Sequence, residues 1–188
     1  MIKLGINIDH VATIRNSRRE FHPDPFLAAK IVKKYGANSI TIHLREDRRH
    51  IIDSDVKKIC NNKKLKVNLE IAANFKMLKI ALKNKPDYIC LVPERRKEIT
   101  TEGGLNLLKN KIKLKKILQI LNKAKIRTSL FIDPTFNNIK ISRELNSQCV
   151  ELHTGKLSRL VKQKKIYNTE LNKIKKCAYY AKKIGLEV

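Results

Sequence analysis

The stretch Ser39-Ile-Thr-Ile-His-Leu-Arg-Glu-Asp-Arg-Arg-His50 decides how the chain is read. It opens as a β-branched apolar run, the composition of a strand. It then places two histidines, three arginines and two carboxylates between His43 and His50. Packing does not call for that density. Cationic forks and imidazoles at a strand tip are what an enzyme uses to hold an anion and move protons around it.

Outward from that tip the same pattern recurs. Short β-branched runs at 3–8, 38–43, 66–72, 87–92, 126–132, 149–153 and 185–188 alternate with segments of helical period at 26–35, 56–61, 75–82, 105–124, 139–145 and 170–184. Pro23-Asp24-Pro25 and Ser54-Asp55 are helix start signals. Helices alternating with strands read as apolar on both faces predict a covered parallel sheet, either doubly wound or a barrel. The first βα turn, Asn7-Ile-Asp-His-Val-Ala-Thr13, lacks the Gly-x-Gly-x-x-Gly cradle of a dinucleotide fold. Polar groups collect instead at the C-terminal ends of successive strands, as in a barrel. They are Asn7, Asp9 and His10, then His43 and Arg45, then Glu70, then Glu94 to Arg96 with Thr100-Thr-Glu-Gly-Gly104, then Asp133, then Glu151 and His153. The expectation is an α/β fold, a TIM (β/α)8 barrel covering about strands one to seven, as a single domain over residues 1–188.

Composition narrows the function. Hydrophobic residues at 42% with 31% charged residues describe a globular chain, and no apolar run reaches the roughly 20 residues of a transmembrane helix. The N-terminus lacks a secretory pattern, so a cytoplasmic location is expected. Cys60, Cys90, Cys149 and Cys177 lie far apart in apolar segments and read as reduced core residues. The net charge of +25 invites a nucleic-acid reading, but the excess is mostly lysine spread over every helix, and 5% aromatics supply no stacking platform. Non-specific polyanion contact at low salt is expected; a specific nucleic-acid partner is not.

The candidate groups each admit two readings. Glu70, flanked by Leu69 and Ile71, is either a buried partner for an arginine or a general base whose proton affinity is raised by burial. His43 and His50, around Arg45, belong to a solvated salt-bridged loop or to an anion site with acid–base function. A metal site is not expected, since there is no His-x-x-x-His and no nearby cysteine. Arg15-Asn16-Ser17-Arg18-Arg19 is a second basic loop, either surface or a second phosphate contact. Glu151 and His153, one pleat apart, are a structural pair or a functional one.

Taken together, the run from Asn7 to Thr13, His43-Leu-Arg-Glu-Asp-Arg-Arg-His50, Asn68-Leu-Glu70, Leu91-Val-Pro-Glu-Arg95, Thr100 to Gly104, Ser129-Leu-Phe-Ile-Asp133 and Glu151-Leu-His-Thr-Gly155 resemble the pyridoxine 5′-phosphate synthase family. The resemblance runs in order over essentially the whole chain. It implies a TIM barrel enzyme, assembled as a homo-octamer, that needs no metal or organic cofactor. By the same resemblance the chain would condense 1-deoxy-D-xylulose 5-phosphate with 3-amino-2-oxopropyl phosphate. It further implies His43 and Glu70 as proton acceptors and Glu151 as the stabiliser of the transition state. Asn7 and Arg18 would contact the aminoketone phosphate; Asp9, His10, Arg45, His50 and Thr100 would contact the deoxyxylulose phosphate. Two phosphorylated substrates match the two basic segments.

The family continues past its seventh strand into an Asn-Ala-Gly-His-Gly segment that carries the proton donor, and the present sequence stops at Val188. The expectation is a C-terminally incomplete barrel of uncertain activity. The competing readings are another phosphosugar-handling barrel enzyme and a degenerate basic polyanion-binding protein.

Overall fold

The computed structural model describes residues 2–94 and 103–188. The described residues alternate six strands with eight helices. Element order and parallel pairing are those of a (β/α)8 barrel carried through six of its strands. The chain divides into two compact units, Met1–Ile89 and Cys90–Val188.

The first unit holds β1 (Gly5–Asn7), α1 (Asp9–Arg18), α2 (Pro25–Lys34), β2 (Ser39–His43), α3 (Asp53–Cys60), β3 (Val67–Ala72) and α4 (Phe75–Asn84). β4 (Tyr88–Val92) carries the boundary. The helix starts follow from side-chain chemistry. Asp24 accepts from the Phe26 amide at 2.8 Å with Pro25 next to it, and Asn74 accepts from the Met77 amide at 2.9 Å. β1, β2 and β3 pair in parallel, with Asn7 opposite Thr41 and His43 opposite Glu70. This register separates two faces. Ile40, Ile42, Leu69 and Ile71 are fully buried on one, whereas Thr41, His43, Asn68 and Glu70 occupy the other.

That separation corrects the expectation of strands apolar on both faces. In β2 and β3 every second residue is polar, and these polar residues build the site. The basic segment at 15–19 is also not a loop. Its residues 15–18 form the end of α1, which Asn7 starts by accepting the Asp9 amide at 2.9 Å, and Arg19 closes the helix in a left-handed conformation at φ 53°.

The second unit holds the rest of β4, then α5 (Lys111–Lys123), β5 (Arg127–Ile132), α6 (Phe136–Glu144), β6 (Cys149–Leu152), α7 (Gly155–Lys162) and α8 (Asn168–Lys183). α5 shows how the lysines are disposed. Leu114, Ile117, Leu118 and Leu121 form a fully buried stripe, and Lys111, Lys113, Lys115, Lys116 and Lys123 stand exposed. Burying each of those leucines or isoleucines stabilises the unit by about 1.5–3 kcal/mol. β5 and β6 pair in parallel with Phe131 opposite Glu151. The seventh strand signal, at 185–188, forms a single parallel bridge between Glu187 and Cys149, and Leu186 is its one buried side chain. α7 has no predicted counterpart: none of its residues is buried and no side chain caps its start. The four cysteines are free and buried, as expected.

Candidate active site

The first unit gathers its polar groups where β1, β2 and β3 end. The β1–β2 ladder stops after the Ile8 amide donates to the Thr41 carbonyl at 3.1 Å. Asp9 then continues it with a side chain, one carboxylate oxygen accepting the His43 amide at 2.8 Å and the other accepting Asn7 Nδ2 at 2.9 Å. Asp9 is 8% exposed, and these two donors satisfy its buried carboxyl oxygens. Across the β2–β3 pair, His43 Nδ1 lies 3.7 Å from Glu70 Oε2. The two groups thereby face each other at ion-pair range across the strand pair. Arg45, 4% exposed, forms an ion pair with Asp47 at 3.6 Å. The His50 ring lies 5.9 Å from that of His43. Burial drives the His50 pKa below the ordinary imidazole value, reinforced by His43 and Arg45 and opposed by Asp9.

The remaining charges of the run brace the loop. Arg48, left-handed at φ 56°, forks onto Asp53 at 2.7 and 3.2 Å and donates to the carbonyls of Arg45 and Glu46. Arg49 pairs with Asp47 at 2.6 Å, and Glu46 accepts Asn74 Nδ2 at 2.6 Å. Asn74 therefore ties the start of α4 to the run, a contact that its role as a helix cap conceals in the sequence. His10 and Arg18 stand exposed at the first and last turns of α1.

Asp9, His43 and His50 each offer one ligand-type atom, all within 4.8 Å of one another, which makes them the candidate metal group among the described residues. The local chemistry favours proton handling. His50 Nδ1 accepts the Ile51 amide at 2.9 Å, which places the ring proton on Nε2 and makes that nitrogen a donor.

The second unit carries its own cluster. Glu151 Oε2 accepts the Cys90 thiol at 3.4 Å. Burial pushes the Glu151 carboxyl above the usual carboxylate range, and the thiol hydrogen bond offsets part of that rise. Beside it in sequence, His153 Nδ1 lies 3.2 Å from Asp133 Oδ1, which also accepts the Gly104 amide at 3.1 Å. Gly104 has to be glycine: a Cβ would sit 2.3 Å from the Asp133 backbone nitrogen. Cys90 reads in the sequence as core and proves to be the hydrogen-bond donor to Glu151. Thr100 lies outside the described residues, as do Arg95 and Arg96.

Residues 4–188 match the family model described as "Pyridoxal phosphate biosynthesis protein PdxJ". The chain belongs to the PdxJ family. It is 63% identical over 188 residues to the pyridoxine 5′-phosphate synthase of Pelagibacter ubique (strain HTCC1062), covering 100% of this chain and 79% of that relative. The synthases of Blochmanniella pennsylvanica (strain BPEN) and Aquifex aeolicus (strain VF5) are 49% and 48% identical, covering 98% and 100% of this chain and 75% and 78% of theirs. Likeness to a solved D-psicose 3-epimerase is weak, at TM-score 0.45 and 12% identity over 80% of this chain and 62% of that one. PdxJ membership makes the chain an enzyme family member of vitamin B6 biosynthesis. No helix of the described residues is long and apolar enough to cross a membrane.

Proposed function

We propose that the chain acts in a pyridoxine 5′-phosphate synthase reaction, joining 1-deoxy-D-xylulose 5-phosphate to 3-amino-2-oxopropyl phosphate with release of phosphate and water. The observation that carries this reading is the His43–Glu70 pair at 3.7 Å on the polar face of β2 and β3, beside buried Asp9 and Arg45. Ring closure requires imine formation, enolisation, dehydration and aromatisation, each of which moves protons on and off carbon, nitrogen or oxygen. In this reading His43 and Glu70 accept those protons. Glu151 balances charge in the transition state, and burial raises its proton affinity above that of an ordinary carboxylate.

Asn7 and Arg18 are assigned to the aminoketone phosphate, 3-amino-2-oxopropyl phosphate. Asp9, His10, Arg45, His50 and Thr100 are assigned to the deoxyxylulose phosphate. Arg45 supplies the planar fork that matches a phosphate, and His50 supplies a donor through Nε2. The same resemblance assigns a homo-octamer working in the cytoplasm without metal or organic cofactor.

The test expresses the full reading frame in a bacterial strain that lacks its own synthase. Growth without added pyridoxine is the expected result. Soluble protein without growth overturns the reading. Calorimetry of the purified chain with each phosphorylated substrate should show saturable binding of both, and sedimentation measures the assembly.

A further inference from the structure

The loop that carries His50 is gripped from a different element. Asn16 Nδ2, on α1, donates to the His50 carbonyl at 2.8 Å and to the Arg49 carbonyl at 3.1 Å. Arg15 Nη2 reaches the same His50 carbonyl at 3.3 Å. Arg15 is in turn fixed by a fork onto Asp55 at 2.7 and 2.9 Å and by donating its Nε–H to Asn16 Oδ1 at 3.0 Å. Asp55, 7% exposed in the first turn of α3, also accepts the Ile52 amide at 3.1 Å. One guanidinium and one amide thus join α1, the loop and α3.

The consequence runs through a single peptide group. The His50 carbonyl and the Ile51 N–H are the two ends of one rigid planar unit. At one end Asn16 and Arg15 hold the oxygen; at the other the N–H donates to His50 Nδ1 at 2.9 Å. Turning that plane would break both sets of bonds together. While it is held, the Nδ1 lone pair is occupied, and the ring proton stays on Nε2.

We propose that Arg15 and Asn16 are positioning residues that clamp the His50–Ile51 peptide plane and so hold the His50 ring as an Nε2–H donor toward a phosphorylated substrate. The clamp stands on the geometry alone; its link to substrate rests on the function proposed above.

Asn16→Asp tests it. The variant keeps the shape and the acceptor for Arg15 Nε, but turns an oxygen toward two carbonyls that now accept a hydrogen bond. With the histidines labelled with nitrogen-15, the native full chain should show His50 ring nitrogens at the separated positions of one fixed tautomer. In Asn16→Asp they should move toward each other as both tautomers are sampled. Affinity for 1-deoxy-D-xylulose 5-phosphate, by calorimetry, should fall about tenfold, the loss expected for one hydrogen bond. A folded variant with native His50 resonances overturns the clamp. Should Asn16→Asp fail to fold, Asn16→Ala removes the donor without adding charge and is read in the same way. Moved resonances with unchanged affinity uphold the clamp and remove His50 from the substrate site. Arg15→Lys, which keeps a cation opposite Asp55, should restore a fixed tautomer more fully than Arg15→Ala; equal effects would assign Arg15 a purely structural role.

Discussion

The cluster in Met1–Ile89 and the cluster in Cys90–Val188 hold their carboxylates by opposite means. Asp9 is buried between two well-placed donors, the His43 amide and Asn7 Nδ2. Glu151 is part-buried against a thiol, a weak donor, and its proton affinity rises. The first arrangement preorganises: the Asp9 carboxyl group is fixed by hydrogen bonds at both oxygens, one of them from the backbone of His43. The second leaves protonation as the variable. In the same first cluster His50 is biased toward its neutral form, so the two regions also respond to pH in opposite directions.

The largest expected difference is chemical. Glu70→Gln keeps the shape of the side chain opposite His43 and removes its basicity, so turnover in the synthase assay should drop by about 10²- to 10⁴-fold. Substrate affinity by calorimetry should change far less, and a near-native rate would take Glu70 out of the mechanism. Next is a test of rigidity in the second unit. Gly104→Ala drives a methyl into the Asp133 backbone and should cost about 1–3 kcal/mol in urea unfolding, while loosening the Asp133–His153 pair. Unchanged stability would show that the 103–104 turn yields easily.

The pH response sharpens the contrast further. His50 has a folded-state pKa below its unfolded value of 6.5, so its contribution is present above that pH and is lost as pH falls through the folded value. Glu151 has a folded-state pKa above its unfolded value of 4.5, so its contribution is present below that pH and is lost as pH rises. Thermal midpoints of Glu151→Gln should therefore gain on the native chain from acid toward neutral pH. Those of His50→Gln should gain on it as the pH falls below about 6.5. Parallel curves for either variant would refute the corresponding shift. The smallest effect concerns thiols. Burial pushes Cys60 up to about 12 and Cys149 up to about 11, so a thiol reagent at pH 8 should label neither until the chain unfolds.

Strand positions were legible because β-branched runs bounded by polar tips leave few alternatives. Boundaries shifted by a residue or so, as with β2 at Ser39–His43 against a predicted 38–43. α1 was harder to read. Its start is set by Asn7 accepting the Asp9 amide, and its polar end, Arg15-Asn16, is satisfied by the distant residues 49, 50 and 55 rather than by water. Long-range satisfaction of that kind leaves no local pattern. The same applies to Cys90, whose hydrogen bond to Glu151 spans 61 positions. His43 and Glu70 were visible individually, but their pairing depends on the β2–β3 register, which a single sequence does not display.

That register also limits how this part of the gene can vary. In β2 and β3 the polar and apolar positions interleave one by one, so inserting or deleting a single codon in either strand would send Ile42 or Leu69 to the reacting face and His43 or Glu70 under the helices. A buried isoleucine here can be exchanged for valine at about 0.5–1.5 kcal/mol. A change of length has no such graded version, because it swaps both faces at once. Across relatives of this chain, β2 and β3 should therefore vary in the identity of their apolar residues while keeping the count between Thr41 and His43, and between Asn68 and Glu70, unchanged.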